Sequence, residues 1–452
     1  MVLKLRYHGG TVTLSERVDL PFVKYDERSG NYRCLGINYR KLREGLDRAG
    51  MEYVDEVRES APLPEGFSFK GSLRRYQEEA LGRWRKAGMR GVIVIPTGGG
   101  KTIVALRAIY ELGEPALIVV PTIDLMNQWV AKVKEVLGIR PGTLGGGSQE
   151  VLPVTVATYD SAMNRIRHIG NRFGMLIADE CHHLPAPSYS EIALYSTAEH
   201  RIGLTATPER EDGLHRELDE LLGPIVYRIS PVDLAGTYLS DFSIRRISVD
   251  LSEEERREYR RNYDLYSAYL KRKGIIMRSP RGLLRLIMLS NRDPEARLAL
   301  LARNEAIRIS LNAEKKVDAL VSVLREYGDK KVLVFTQNNE LVYRVSRSLL
   351  IPAITHLTPK AERELILKSF REGRYRVIIT SKVLDEGIDV PDASVGVIMS
   401  GTGSSREFVQ RLGRILRKVS GKRAELIEIV TSDTTEPRAS YRRKRSIDGG
   451  MR

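Results

Sequence analysis

Residues 96–102 read PTGGGKT. Glycines followed by a lysine and a hydroxyl residue suit one task, closing a backbone loop around phosphate oxygens. Glycine lets consecutive N–H groups turn toward an anion, and a helix starting at the end of the loop adds its N-terminal dipole. On this reading Thr97, Gly98, Gly99 and Gly100 form the cradle. Lys101 reaches the β- and γ-phosphates, and the Thr102 hydroxyl takes Mg²⁺. The strict motif has a glycine where this chain has Ile95.

A second group of chemical residues, Asp179-Glu180-Cys181-His182, follows an apolar run at 175–178. Adjacent acids after a strand also occur in ordinary loops. With a phosphate loop upstream, Asp179 reads as the holder of Mg²⁺, and Glu180 as the group that orients and polarises an attacking water. Cys181 reads as a small packed residue. His182 and His183 are sequence neighbours that point apart, with no further Cys or His cluster nearby, so side-chain metal ligation by them is disfavoured.

These residues need a scaffold. Short apolar runs at 92–95, 116–120, 154–157, 175–178 and 201–204 are separated by amphipathic stretches. Strands alternating with helices predict a mostly parallel sheet covered on both faces. The rhythm restarts at 331–335, 376–380, 395–399 and 426–430, after a helix with Val317, Leu320, Val321 and Leu324 on one face. Two α/β lobes are expected. Ahead of them, Leu3, Leu5 and Tyr7 alternate with Lys4 and Arg6 as in a strand, and Ser29-Gly30-Asn31 suggests a hairpin turn. Tyr39, Leu42 and Leu46 fall at helical spacing, with Gly50 as a cap. Residues 60–66 (SAPLPEG) read as a linker. Between the lobes, Tyr259, Tyr263, Tyr266 and Leu270 share a helical face surrounded by Arg256, Arg257, Arg260, Arg261, Lys271, Arg272 and Lys273. This predicts a helical insertion with a basic exterior; a solvated hairpin fits as well, and the tyrosines read as core. The expected domains are 1–58, 67–240, 245–305 and 306–438, with a basic tail at 439–452.

Composition narrows the partners. Lys plus Arg is 73 against 58 for Asp plus Glu, giving +15 and a pI near 9.6. That excess favours phosphate backbones through counterion release, and also serves solubility. The two cysteines, Cys34 and Cys181, cannot make a disulfide framework, which points to a reducing interior. No apolar run approaches the ~18 residues of a membrane span, and the start MVLKLRYHGG reads as no secretory signal.

The phosphate loop, the DECH box, Leu204-Thr205-Ala206-Thr207 and residues 410–417 (QRLGRILR) occur in an order that resembles superfamily 2 helicases. The resemblance implies ATP with Mg²⁺ as the nucleotide system and two RecA-like lobes. The expected fold is therefore α/β: two RecA-like parallel-sheet lobes with a small α+β N-terminal domain and a helical thumb-like insertion. Residues 73–77 (LRRYQ) look like the adenine-reading segment, with Gln77 on the base edge. Residues 380–390 (TSKVLDEGIDV) look like the segment joining the second lobe to nucleotide and DNA, around Gly387 and Asp389. Gln410, Arg414 and Arg417 then act in catalysis. Arg414 and Arg417, three apart on a helix, can face one side and stabilise charge on the transferring phosphoryl group; surface arginines are the alternative.

Within the superfamily the chain resembles the xeroderma pigmentosum group B family of repair and transcription helicases. Arg210-Glu211-Asp212 resembles that family's charged, DNA-opening wedge, although a solvated loop or an orienting salt link fits too. The insertion resembles its thumb, and the N-terminal unit resembles its DNA-distortion-sensing domain. The resemblance implies 3′–5′ DNA opening or duplex translocation in nucleotide excision repair, and promoter opening. The substrate would be duplex, forked or single-stranded DNA, with a companion nuclease or repair and transcription proteins as partners. A prokaryotic source and a cytoplasmic, nucleoid-associated setting are expected. A duplex translocase without strand separation, an RNA helicase and a non-catalytic DNA-binding scaffold remain alternatives.

Overall fold

The computed structural model describes residues 2–210, 212–238, 240–277, 280–381, 393–399, 423–437 and 440–441. The chain forms two compact units, Met1–Ile229 and Ser230–Arg452.

The first unit begins with a five-stranded sheet of β1 (Leu3–His8), β2 (Thr11–Leu14), β3 (Lys24–Asp26), β4 (Asn31–Leu35) and β5 (Tyr53–Glu56), ordered β3-β4-β2-β1-β5. Alternation drives it: Leu3, Leu5, Val12 and Leu14 are buried, and polar residues between them face out. The helix Tyr39–Arg48 carries the chain over to β5, which pairs parallel with β1. Tyr39, Leu42 and Leu46 of its inner face join that core.

This small domain is bonded to the larger sheet beside it. The Tyr7 hydroxyl lies 3.0 Å from the Ile166 carbonyl oxygen and 2.9 Å from that of Tyr195. Arg43 and Arg58 both donate to Glu199 Oε1, at 2.9 and 3.0 Å. Asn171 Nδ2 donates to the Val57 carbonyl at 2.9 Å. Gly36 is required by proximity, since a Cβ there would lie 2.5 Å from the Tyr195 carbonyl oxygen.

The main sheet of the first unit holds β6 (Arg90–Val94), β7 (Ala116–Val120), β8 (Gly142–Gly145), β9 (Ser148–Glu150), β10 (Val154–Thr158), β11 (Met175–Asp179), β12 (His200–Thr205) and β13 (Ile225–Arg228). The order is β13-β6-β12-β11-β7-β10-β8-β9, all parallel except β9. Strands β7, β10 and β11 are buried at every residue, as expected of a sheet covered by helices on both faces. Arg201 in β12 is fully buried; its guanidinium donates to the carbonyls of Ala193, Ser196, Ala198 and Leu221 at 2.7–3.0 Å.

The second unit has six parallel strands: β14 (Asp241–Val249), β15 (Val332–Phe335), β16 (Ala353–Ile354), β17 (Val377–Thr380), β18 (Val395–Ile398) and β19 (Arg423–Thr431), ordered β14-β19-β18-β15-β17-β16. Here the structure departs from the expected boundaries. The second compact unit starts at Ser230, within the 67–240 read as the first lobe, and β14 runs through 245–249, the expected start of the helical insertion. It pairs with β19 at every position from Asp241 to Val249. The insertion therefore emerges from within this sheet, as helices Glu253–Arg272, Pro280–Ser290 and Pro294–Leu311. Tyr259 and Tyr269 are buried while Tyr263 is exposed, so the tyrosine face is only partly core. Arg257, Arg260, Arg261, Lys271, Arg272 and Lys273 are exposed and Arg256 is half-buried.

Glu199 is the acceptor shared by Arg43 and Arg58 of the small domain. Glu199→Ala is expected to destabilise the first unit by about 1.5–3 kcal/mol, the range for hydrogen bonds to charged groups. Denaturant unfolding of the full chain measures it. An unchanged midpoint would mean that apolar packing alone seats the domain.

Candidate nucleotide site

Strand β12 lies between β6 and β11. The loops leaving the C-terminal ends of these parallel strands therefore emerge side by side, where open α/β sheets bind ligands. They are the phosphate loop after β6, the acids after β11 and the Thr205-Ala206-Thr207 element after β12.

The phosphate loop leads into the helix Lys101–Leu112. Gly98 and Gly100 have φ of 83° and 76°, a region that side chains with a Cβ rarely adopt. A Cβ on Gly100 would also lie 2.6 Å from Gln77 Nε2. Gln77 is buried and its amide is engaged at both ends. Nε2 donates to the Gly99 and Gly100 carbonyls at 3.1 and 3.3 Å, and Oε1 accepts from the Arg74 N–H at 2.8 Å. The Tyr76 hydroxyl donates to the Gly99 carbonyl at 2.5 Å. The residue read as facing the adenine edge thus also holds the phosphate loop through its side-chain amide. Lys101 Nζ donates to the Ile95 carbonyl at 3.2 Å, inside the loop it closes.

Asp179 ends β11 and is almost fully buried. Its Oδ2 accepts from the Trp129 indole N–H at 2.7 Å and its Oδ1 from the Glu180 N–H at 3.0 Å. Burial pushes its carboxyl up from the usual carboxylate range, while the Lys101 charge and these two donors pull it back down. Glu180 follows in the left-handed region at φ 46°, and the 3₁₀ turn Cys181–His183 comes next. Non-glycine residues hold that conformation only where surrounding bonds enforce it.

The enforcing bonds come from β12. The Thr205 hydroxyl lies 3.4 Å from Glu180 Oε2, 3.2 Å from His182 Nδ1 and 3.1 Å from the Thr207 carbonyl, and it accepts the Thr207 N–H at 3.1 Å. One hydroxyl has one proton to donate, so it serves one of these acceptors at a time. Thr205 and His182 were not foreseen in this role. The available signal was the threonine ending a buried strand one element after the acids.

Arg210 is also drawn into this network. Its Nη1 donates to the His182 carbonyl at 2.6 Å, and its Nε and Nη2 make a forked pair with Asp212 at 2.9 and 2.6 Å. The guanidinium holds the Asp212 carboxyl down at about 2. Arg210 and Asp212, two of the three residues read as a wedge, thus form a closed pair bonded to the acid turn. Glu211 lies outside the described residues, as do Gly387, Asp389, Gln410, Arg414 and Arg417.

The residues present fit a magnesium nucleotide. Thr97 Oγ1 is buried with no hydrogen-bond partner, and the glycine conformations leave the loop without Cβ atoms that would fill it. Thr102 and Asp179 supply oxygen ligands of the kind Mg²⁺ takes.

Residues 5–57 match the model for the xeroderma pigmentosum group B helicase damage recognition domain, 70–210 that for the type III restriction enzyme res subunit, and 315–419 that for the helicase conserved C-terminal domain. The chain is 44% identical to the DNA 3′–5′ translocase XPB2 of Sulfurisphaera tokodaii, over 97% of this chain and 99% of that one. It is 30% identical to the DNA 3′–5′ helicase XPB of Mycobacterium tuberculosis, over 83% of this chain and 63% of that one. Among solved structures, the Pyrococcus furiosus Hef helicase domain matches 82% of this chain and 97% of its own, with a TM-score of 0.56 at 22% identity, which bears on the fold alone. No helix among the described residues is long and apolar enough to cross a membrane. With near-complete overlap at 44% identity and a matching N-terminal domain, the chain belongs to the XPB helicase family.

Proposed function

We propose that this chain is an ATP-hydrolysing motor that moves 3′ to 5′ on DNA and opens it during nucleotide excision repair. The observation that carries the reading is the meeting of phosphate loop, acid box and Thr205 at three adjacent strand ends. ATP would be held by the loop amides of 97–100, Lys101 and Thr102. Mg²⁺ would be held by Thr102 and Asp179, and would neutralise charge on the phosphates. Glu180 orients the attacking water, and Thr205 and His182 orient Glu180. Gln410, Arg414 and Arg417 belong to the same reading as groups supplied by the second lobe, and Gly387 and Asp389 as its link to nucleotide and DNA. The +15 charge suits a polyanionic track. Repair or transcription proteins, a companion nuclease among them, are the proposed partners, in a prokaryotic cytoplasm.

A second reading is duplex translocation without strand separation, favoured by the name of the relative at 44% identity. The deciding experiment compares ATPase rates on single-stranded, forked and intact duplex DNA with strand displacement on 3′- and 5′-tailed forks. ATPase that ignores DNA would sink the motor reading. Stimulation by duplex without displacement would select the translocase.

Glu180→Gln is expected to keep ATP binding and lose turnover by ~10²–10⁴-fold, the range of a positioned general base. Fluorescent-nucleotide binding and phosphate release on one preparation measure the two effects. Wild-type turnover would remove Glu180 from the mechanism.

The Arg210 tether makes a sharper demand than a wedge alone. Arg210→Ala frees the acid turn, so DNA-stimulated ATPase should fall by roughly 10²-fold, the scale of a small misplacement of catalytic groups. Asp212→Ala leaves the bond to His182 and should keep most ATPase. If Arg210→Ala instead loses only strand displacement, the residue is a wedge and not a tether.

A further inference from the structure

We infer that Trp129 is the positioning residue for the metal-holding carboxylate, an inference that rests on the magnesium–nucleotide reading of the site. Trp129 lies on the helix Ile123–Leu137 and is buried. That helix follows β7, the neighbour of β11 in the sheet. Met126, Trp129, Val133, Val136 and Leu137 form its inner face. Of these only Trp129 carries a polar atom capable of donating a proton, and it places that atom 2.7 Å from Asp179 Oδ2. The distance lies at the short end for an N–H···O bond, as expected with an ionised acceptor.

The consequence is geometric. A carboxylate has about four lone-pair positions. The Trp129 and Glu180 N–H groups each take one, on different oxygens. The Tyr159 hydroxyl anchors the same residue from behind by donating to the Asp179 carbonyl at 3.0 Å. The carboxylate cannot rotate without breaking a bond, so its remaining lone pairs have a fixed direction. Partners of this kind fix metal ligands, and removing one typically costs ~10–100-fold in metal affinity. The bland account is that the indole only satisfies a buried carboxylate. Both accounts predict lost stability on replacement, and only positioning predicts a changed metal dependence.

The chain has two tryptophans, which makes the test direct. The other, Trp84, donates to the Arg201 carbonyl at 2.9 Å, at the opposite end of β12 from Thr205. Full-length wild type, Trp129→Phe and Trp84→Phe are compared for binding of a fluorescent ADP analogue across a Mg²⁺ titration and in EDTA. Trp129→Phe keeps most of the ring volume and loses the donor. The expected result is a Mg²⁺ half-saturation raised by ~10–100-fold with metal-free binding unchanged. Trp84→Phe should titrate as wild type, and its one remaining indole, Trp129, should change emission when Mg²⁺ is added to the nucleotide-bound protein. Wild-type Mg²⁺ dependence in Trp129→Phe overturns the inference. Should that variant not fold, an emission from Trp84→Phe that ignores Mg²⁺ overturns it instead. A wild type with no Mg²⁺-dependent nucleotide binding would overturn the nucleotide site itself, a result distinct from either.

Discussion

The hydrogen-bonded register of β12 between β6 and β11 governs the first unit's chemistry. Thr205 stands opposite Val94 on one side, and Leu204 opposite Asp179 on the other. The Ile95 N–H donates to the Thr205 carbonyl at 3.1 Å, so the pairing continues into the phosphate loop. Neighbouring strands lie about 4.8 Å apart, which brings the two outer strand ends within roughly 10 Å of each other. A slip of one residue would turn each side chain to the other face of the sheet. Dense apolar burial on β6, β11 and β12 therefore sets where the acids and the hydroxyl emerge.

The same sheet separates two kinds of work. The N-terminal domain is bonded at Asn171 and Glu199, which lie shortly before β11 and β12, at the ends where the strands begin. The phosphate loop and acids occupy the ends where they finish. Influence of the small domain on the site can pass along the strands or along the helix Tyr159–Ile169, whose Ile166 carbonyl accepts from Tyr7 and whose Tyr159 donates to the Asp179 carbonyl. The domain is held by charged and polar bonds as well as by apolar contact, so it moves with its sheet. If it reads DNA distortion, it does so as a fixed feature of this unit.

Much of this was legible in the sequence where the determining information is local. The phosphate loop, the buried runs such as ALIVV at β7, and the helix with Tyr39, Leu42 and Leu46 are set by neighbours within a few residues. The missed features depend on partners far along the chain. Strand β14 reads DFSIRRISV, with charges inside it, and becomes a strand by pairing with β19 at the other end of the unit. The bonds from Gln77 to the Gly99 and Gly100 carbonyls add a loop-holding contact that its place in the adenine-reading segment did not reveal. Trp129 and Asp179 are 50 positions apart, and no spacing rule links an indole to an acid. Arg201 looked like a residue at the start of a strand, and only the folded chain shows four carbonyls around its guanidinium.

Those long-range bonds explain how the acid turn can hold its conformation. A non-glycine residue in the left-handed region costs about 1–3 kcal/mol and persists where its surroundings over-determine it. At Glu180 three elements do so: the helix Ile123–Leu137 through Trp129, β12 through Thr205 and His182, and the following loop through Arg210. None of the three bonds is made by the phosphate loop. The acid turn is thus held by elements outside the phosphate loop, and displacement of any of them reaches Glu180 directly through Thr205 or by way of its neighbours Asp179 and His182. The Thr205 proton adds a choice, because donating it to the Thr207 carbonyl withdraws it from Glu180. A small shift at residues 205–207 can therefore change what Glu180 is bonded to while its strand stays in place. On the role proposed for Glu180, such an arrangement would let a motor link that carboxylate to movement elsewhere without dismantling the sheet.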